Sequence, residues 1–375
     1  MILVGNPENR RVGMFQAALA AQGRPPARVI AWRDLIEPGA PARGFADVRD
    51  GEIVRIDSAG ENDAVERALL RRGEIAARAA GCESISAREL DALPYALGRI
   101  VCPRQAHLGF TAVLDELARA LPATARVLQP PRAIALLFDK AATSAQWRAL
   151  GIPVPDALPA VRSPDELREH MRARGWPSVF VKLTCGSSAS CLAVFTHGPR
   201  GEHVLTTVED AGAWRYNTRK LQRLVRRASI DRTLGFILGE GAQVERAHDK
   251  AMIDGRHVDL RVLAIDGVAA FVVARTALQP ITNLHLGGLR GDVDALRARV
   301  PPAAWDALLA SAIRVQQASG AFHVGVDVML EADLRGHRVI EGNAFGDLLP
   351  NLERDGLDVY GWQVARLGAN RSLPI

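Results

Sequence analysis

Apolar positions along the first 130 residues recur with two alternating periods. "MILVG" is a short apolar run ending in the turn signal "NPENRR", and "VGMFQAALAAQG" then carries helical spacing up to a glycine stop. "ARVIAW" reads as the next strand, while "DAVERALLRRGEIAARAAG" and "GFTAVLDELARAL" read as amphipathic helices. Strands alternating with helices predict an α/β layer built on a parallel sheet. The loop "GNPENRR" is not GxGxxG, so a dinucleotide site there has little support.

Beyond the Pro-rich break "LQPPR", the stretch "AIALLFDKAATSAQWRALGIPVP" reads as one helix that stops at Gly151, and Pro164 to Gly175 as another. "SVFVKLTCGSSASCLAVF" is two strand runs around a loop of small residues. A basic helix is expected near 217–229. Strand signals follow in "GFILG", "AQVERA", "HVDLRVLAIDGVAAFVVARTA", "FHVGVDVML" and "HRVIEGN", with one helix over about 302–319 among them. There is no internal repeat and no low-complexity tract.

Composition narrows the class. With 375 residues, 48% of them hydrophobic, the chain can bury a large core divided over two or three domains. The N-terminus has too few apolar residues for a signal-peptide core and no run approaches a membrane-spanning length, so a cytoplasmic, membrane-free protein is expected. Cys82, Cys102, Cys185 and Cys191 form no CxxC pair and have no histidine at metal-ligand spacing, which predicts reduced thiols. The net charge of +5 hints at nucleic acid, but 42 acidic residues are interleaved and aromatics are only 5%. A nucleic-acid reader concentrates charge and adds stacking rings, so no nucleic-acid partner is expected. The run Arg219, Lys220, Arg223, Arg226, Arg227 reads as a solvated helix face. Only four lysines occur, Lys140, Lys182, Lys220 and Lys250. A lysine inside an apolar strand therefore stands out from the arginine background.

Three constellations carry chemistry. In "FHVGVDVMLEADLRGHRVIEGN", a loop centred on Leu334 puts Asp327 directly opposite Glu341, with Asn343 on the same face. Facing carboxylates repel unless something cationic lies between them. Asp, Glu and Asn oxygens suit Mg²⁺; the alternatives are a carboxylate turned to solvent, an arginine bridge such as Arg338, or a one-residue register slip. In "VFVKLTCGSSASC", Lys182 interrupts an apolar strand just before Gly186, Ser187, Ser188, Ala189 and Ser190, a loop able to cradle phosphate. A lysine reaching solvent before an ordinary hairpin is the competing reading. In "HVDLRVLAIDGVAAFVVART", a two-residue turn at Asp266-Gly267 puts Arg261 and Arg275 on opposite faces, whereas a three-residue loop with a bulge gathers Asp259, Arg261 and Arg275. Sequence leaves both open. His285 and His323 are read as structural.

The order of these elements over about residues 135–350 resembles the ATP-grasp superfamily, and within it the peptide-forming ligases that include the glutamate ligase modifying a ribosomal protein. The resemblance implies α+β lobes of an α/β protein, with a Rossmann-like pre-domain over 1–130 and ATP-grasp lobes over 131–230 and 231–375. "DKAATSAQWRALGIPVP" is similar to that fold's opening helix, which gives Lys140 the role of first ATP-contacting lysine. "VFVKLTCGSS" is similar to the strand and phosphate lid, giving Lys182, Ser187 and Ser188 to the phosphates. "AQVERA" resembles the strand between the lobes, which implies Glu245, Arg246 and Ala247 at the adenine edge and Asp249 at the ribose. "DLR", "ART" and "TNLHLGG" imply Arg261, Arg275 and Asn283 as substrate and phosphate residues, and "GVDVML" with "VIEGN" implies Asp327, Glu341 and Asn343 as Mg²⁺ ligands. Ala189 and Ser190 stand where the family's lid often has glycine, and "AFGDLLPN" departs from its loops.

The implied activity is ATP-dependent carboxylate–amine ligation through an acyl phosphate, with ATP and Mg²⁺ as cofactors. Its substrates would be a small molecule or peptide bearing the carboxylate, together with an amine. Lys182, Arg261 and Arg275 would be the catalytic cations. A kinase on the same fold, and a nucleotide-binding protein without chemistry, are the rival expectations. A homo-oligomer is compatible with the sequence.

Overall fold

The alternating start becomes a parallel sheet. In this computed structural model, which describes residues 1–186, 190–199, 201–346 and 349–368, the chain opens with β1 (Ile2–Gly5), α1 (Arg10–Ala21), β2 (Arg28–Ala31), α2 (Ala40–Gly44) and β3 (Ile53–Ile56). It continues with α3 (Asp63–Ala79), α4 (Ala87–Ala92), β4 (Arg99–Ile100), α5 (Pro103–Ala120) and β5 (Arg126–Val127). The parallel sheet runs β2-β1-β3-β5. Side-chain caps set the helix starts: Asn9 accepts from the Arg11 amide, Asn62 from Val65, and Ser86 forms a capping box with Glu89. α3 and α5 cross at Gly73 and Gly109, where an added Cβ would collide with the Gln105 and Leu69 carbonyls. β4 leaves this layer and pairs with a strand of the next sheet.

Two helices stand where one was expected: α6 (Pro131–Leu137) and α7 (Lys140–Ala149). Asp139 is extended and its carboxylate accepts from the Ala142 amide, so a cap restarts the helix and puts Lys140 in its first turn. α8 (Pro164–Arg174), β6 (Ser178–Leu183), β7 (Leu192–Gly198), β8 (Gly201–Asp210), β9 (Arg215–Leu224), α9 (Arg227–Gly239) and β10 (Ala242–Arg246) follow. They form an antiparallel sheet in the order β10-β6-β7-β8-β9-β4. Leu167 and Met171 of α8 and Ile230, Leu234 and Ile237 of α9 pack with Val179, Val181 and Phe195 of this sheet. Two expectations are corrected here. The basic run Arg219 to Arg227 lies mostly on β9 and only reaches the start of α9, and "GFILG" is the end of α9 rather than a strand. A short apolar run reads alike as strand or buried helix, and α9 needs Ile237 and Leu238 on its buried side.

The last unit holds β11 (Met252–Ile253), β12 (Arg256–Ile265), β13 (Val268–Ala277), β14 (Leu289–Gly291), α10 (Val293–Arg299), α11 (Pro302–Ser319), β15 (His323–Leu330), β16 (His337–Asn343) and α12 (Val359–Leu367). Its antiparallel sheet runs β14-β13-β12-β15-β16, with β11 on β12. One face packs Val258, Leu260, Val262, Val324, Val326 and Val328 in the same core as Leu308, Ala312 and Val315 of α11. The other face is divided. Leu263, Ile265, Phe271 and Val273 join Phe15 of α1 and Tyr360 and Trp362 of α12 in a second core, while the remaining half carries polar side chains. Among the described residues no helix is long and apolar enough to cross a membrane, and all four cysteines are free.

Candidate active site

Two bulges decide which side chains reach that polar half. Ile265 pairs with Val268 around a two-residue turn whose Asp266 and Gly267 both have positive φ, as the sequence preference favours. The ladder then slips at Ala270, because Leu263 pairs with Phe271 and Ala264 with Ala269. Asp259 thereby comes opposite Arg275, and Arg261 shares their face. The favoured turn and the gathered cluster coexist because the bulge lies away from the turn. In β16 the extra residue is Ile340: Val328 pairs with Val339 and Asp327 with Glu341. Val339 enters the core and Glu341 faces the cleft although they are two apart, and the expected Asp327–Glu341 opposition is present.

The two antiparallel sheets face each other across a cleft of about 910 Å³ lined by Lys140, Lys182, Glu245, Lys250, Asp327 and Glu341, among others. Lys140 lies 3.3 Å from Glu341 and donates to the Gly186 carbonyl. Lys182 lies 2.8 Å from Glu245 and 3.4 Å from the Ile340 carbonyl, which joins the two sheets. Arg261 forks onto Asp327, with Nη2 to Oδ2 at 3.1 Å, and Arg275 reaches Asp327 Oδ1 at 3.1 Å and Asp259 Oδ1 at 2.8 Å. Lys250 contacts Asp259 at 3.3 Å and the Pro280 carbonyl at 2.9 Å, and the Thr282 hydroxyl donates to Asp259. Burial alone would raise the Asp259 carboxyl, but Arg275 and then Lys250 outweigh it and hold it at about 2. Burial lowers Lys250, with Asp259 opposing. Burial also disfavours the Arg275 charge, and Asp259 and Asp327 outweigh it and raise its pKa.

The structure gathers most of the predicted residues. Lys140, Lys182, Glu245, Arg246, Arg275, Asn283, Asp327 and Glu341 line the cleft. Arg261 reaches it through Asp327, and Asn343 lies one step along β16, opposite Gly325. Ala247 and Asp249 do not line the cleft, whereas their neighbours His248 and Lys250 do. The chain past β10 bridges Lys250 to Glu331, and the Asp259 carboxylate draws Lys250 inward. The backbone amides of Arg246 and Ala247 donate to the Asp156 and Ser178 carbonyls. Ser187 and Ser188 lie outside the described residues. His323 is buried against Gln129, and burial holds it well below its ordinary pKa. Arg338 pairs with Glu331 and does not bridge the two carboxylates; Arg261, Arg275 and Lys140 neutralise them. Lys250, like His248 and Thr282, was left unassigned by sequence reasoning; its one signal was being a lysine in an arginine-rich chain.

The donor set fits Mg²⁺. Asn343 Nδ2 donates to the Gly325 carbonyl at 3.1 Å, which leaves its side-chain oxygen as an acceptor beside two carboxylates. Among the described residues no three His, Cys, Asp or Glu side chains gather into a metal cluster. A cation here would draw on two carboxylates and an amide, with phosphate oxygens supplying the rest, as Mg²⁺ commonly does.

No family model and no curated protein matches the chain. Solved structures do. D-cycloserine synthetase DcsG is similar over 98% of this chain and 99% of its own, at 15% identity and a TM-score of 0.55. The ATP-grasp ligase PsnB, complexed with a phosphomimetic precursor variant, Mg and ADP, is similar over 98% and 96%, at 17% identity and 0.52. The macrocyclase MdnC bound to its precursor peptide MdnA, from Microcystis aeruginosa, is similar over 98% and 99%, at 11% and 0.51. With two antiparallel sheets enclosing a cationic cleft and full-length likeness to these proteins, the chain has the ATP-grasp fold.

Proposed function

We propose that the chain is an ATP-dependent carbon–nitrogen ligase that joins a carboxylate to an amine through an acyl phosphate and releases ADP and phosphate. The observation that carries this reading is the Asp327–Glu341 pair, facing across β15 and β16 and neutralised by Arg261, Arg275 and Lys140 in a cleft whose opposite wall holds Lys182. The cleft brings together more basic than acidic groups, so a polyphosphate completes its charge balance.

A carboxylate is a poor acylating agent because its leaving oxygen is strongly basic. In this reading a carboxylate oxygen bonds to the γ-phosphorus as the bond to the β-phosphate bridging oxygen breaks. An amine then attacks the acyl carbon, and the carbon–oxygen bond breaks with phosphate as leaving group. The protein's task is positioning and charge neutralisation. Lys140 and Lys182 hold phosphate oxygens, Arg261 and Arg275 face the charge that develops on the transferring group, and Asn283 and Arg246 border the nucleotide. Asp259 keeps Arg275 and Lys250 oriented. Mg²⁺, held by Asp327, Glu341 and Asn343, would supply charge neutralisation at the phosphates. No protein nucleophile is required.

The precursor peptides bound by PsnB and MdnC support a peptide or amino-acid-like substrate, and PsnB's complex with Mg and ADP supports the cofactors. The free cysteines agree with work in the cytoplasm. Domain borders near 130 and 230 belong to the same reading, with β4 crossing from the first unit to the second sheet. The test is ATP consumption by the purified chain with pools of carboxylates and amines. ADP release that needs Mg²⁺, an acid and an amine, and falls by two or more powers of ten in Glu341→Ala, is expected. AMP release, or a stable phosphorylated product without amide, would replace this reading.

A further inference from the structure

A second chamber, open to solvent, adjoins the first cleft and shares Leu183, Gly186 and Ser190 with it. Its walls come from α3, the α4–β4 segment, α5, the junction of α6 with α7 and the loop after β16. One wall is aromatic. Phe110 meets Phe138 at 5.3 Å and Phe138 meets Phe345 at 5.9 Å, both edge to face. Phe110 is buried on Trp32, whereas Phe138 and Phe345 are only half-buried and line the open space. The wall is attached to the reacting cleft at both ends: Phe138 lies two residues before Lys140 and Phe345 two residues after Asn343. Arg11 Nη1 donates to the Phe345 carbonyl at 2.8 Å and fixes that loop to α1. Glu66 lines the same chamber. Among the described residues no ion pair engages it, and Glu61 and Asp63 of the same wall set further negative charge beside it, so its carboxylate complements an added cation.

We propose that this chamber takes an amino-acid substrate with an aromatic or large aliphatic side chain and a free ammonium, the side chain lying on Phe138 and Phe345 and the ammonium facing Glu66. The ligase reading enters only in naming the occupant a substrate. Burying a large apolar side chain in place of a methyl group is a ten-fold or greater gain in affinity.

Titration calorimetry on the full chain, without nucleotide, tests this with L-phenylalanine, L-leucine, L-alanine and N-acetyl-L-phenylalanine as probes. Phenylalanine and leucine are expected to bind at least ten-fold more tightly than alanine. Phe345→Ala should erase that preference and Phe345→Leu should retain most of it, with Phe138→Ala, expected to erase it likewise, as the second variant if the first does not fold. Glu66→Gln should weaken phenylalanine several-fold and leave N-acetyl-phenylalanine unchanged. Equal affinities for phenylalanine and alanine, no binding of either, or a preference that survives Phe345→Ala overturns the proposal and returns the aromatic wall to the edge of the core. Because binding is read without turnover, a side-chain preference without ADP release would sink the ligase reading alone. ADP release without the preference would sink this inference alone.

Discussion

Asp259 shows how one buried carboxylate organises the cleft at the scale of single residues. It holds Arg275 Nε at 2.8 Å and Lys250 at 3.3 Å and accepts from the Thr282 hydroxyl. Removing one partner from such a cluster leaves charge uncompensated, which costs about 3–5 kcal/mol when the pair is buried. Lys250→Met keeps the side chain's length and removes its charge. It is expected to destabilise the chain by an amount at the lower end of that range and to cut ADP release by two or more powers of ten. The pH dependence has a definite sign. Asp259 is held at about 2, below its ordinary 3.8, so the stability it contributes is full above about pH 4 and is lost as pH falls towards 2. The gap between wild type and Lys250→Met, read by chemical denaturation, should narrow over that interval. Lys250 was not legible beforehand because its partners, Asp259, Pro280 and Thr282, come from separate strands and loops that only the fold assembles.

Elements position those residues through register, and register was partly legible. The hairpin reading placed Asp327 opposite Glu341, and the ladder agrees, although the bulge at Ile340 shifts the pairs nearer the loop by one residue. No sequence pattern announced either bulge, since each depends on which neighbours claim Val339 and Ala270 for a core. β9 was hidden for another reason: its residues are half-buried or exposed throughout, so no apolar alternation marks them. The break at Asp139 was masked by the apolar run before it. Where α9 ends, the Glu240 carboxylate accepts the Arg104 amide at 2.9 Å in the first turn of α5. Burial pushes Glu240 up to about 7, against that hydrogen bond. A raised carboxyl favours the folded chain below its unfolded value of 4.5 and loses that advantage as pH rises through 7. Glu240→Gln keeps an acceptor for Arg104. It should therefore melt higher than wild type at pH 8, by about 1–3 kcal/mol of stability, and nearly with it at pH 5, as scanning calorimetry would show.

Across the whole molecule, the first and last units pack on each other. α1 packs on α12, and buried Arg55 donates to Gln363 at 2.7 Å while lying over the Phe15 and Tyr360 rings. The α/β start was legible from periodicity, while the two later lobes entered through the motif order that resembles the ATP-grasp superfamily. The exchange of β4 into the second sheet was not, because a two-residue strand carries no pattern. A nucleotide held between the two antiparallel sheets stabilises both by mass action, about 2.7 kcal/mol at a hundred times its dissociation constant. Mg²⁺ with a non-hydrolysable ATP analogue should raise the melting temperature, and Glu341→Gln should abolish the Mg²⁺-dependent part of the rise. The proposed transfer of the γ-phosphoryl group to a carboxylate oxygen can be measured directly. With a carboxylate labelled in both oxygens by ¹⁸O and an amine that supports turnover, an acyl phosphate delivers one ¹⁸O atom to the released phosphate and none to ADP. Label in AMP, or phosphate free of ¹⁸O despite amide formation, would contradict it.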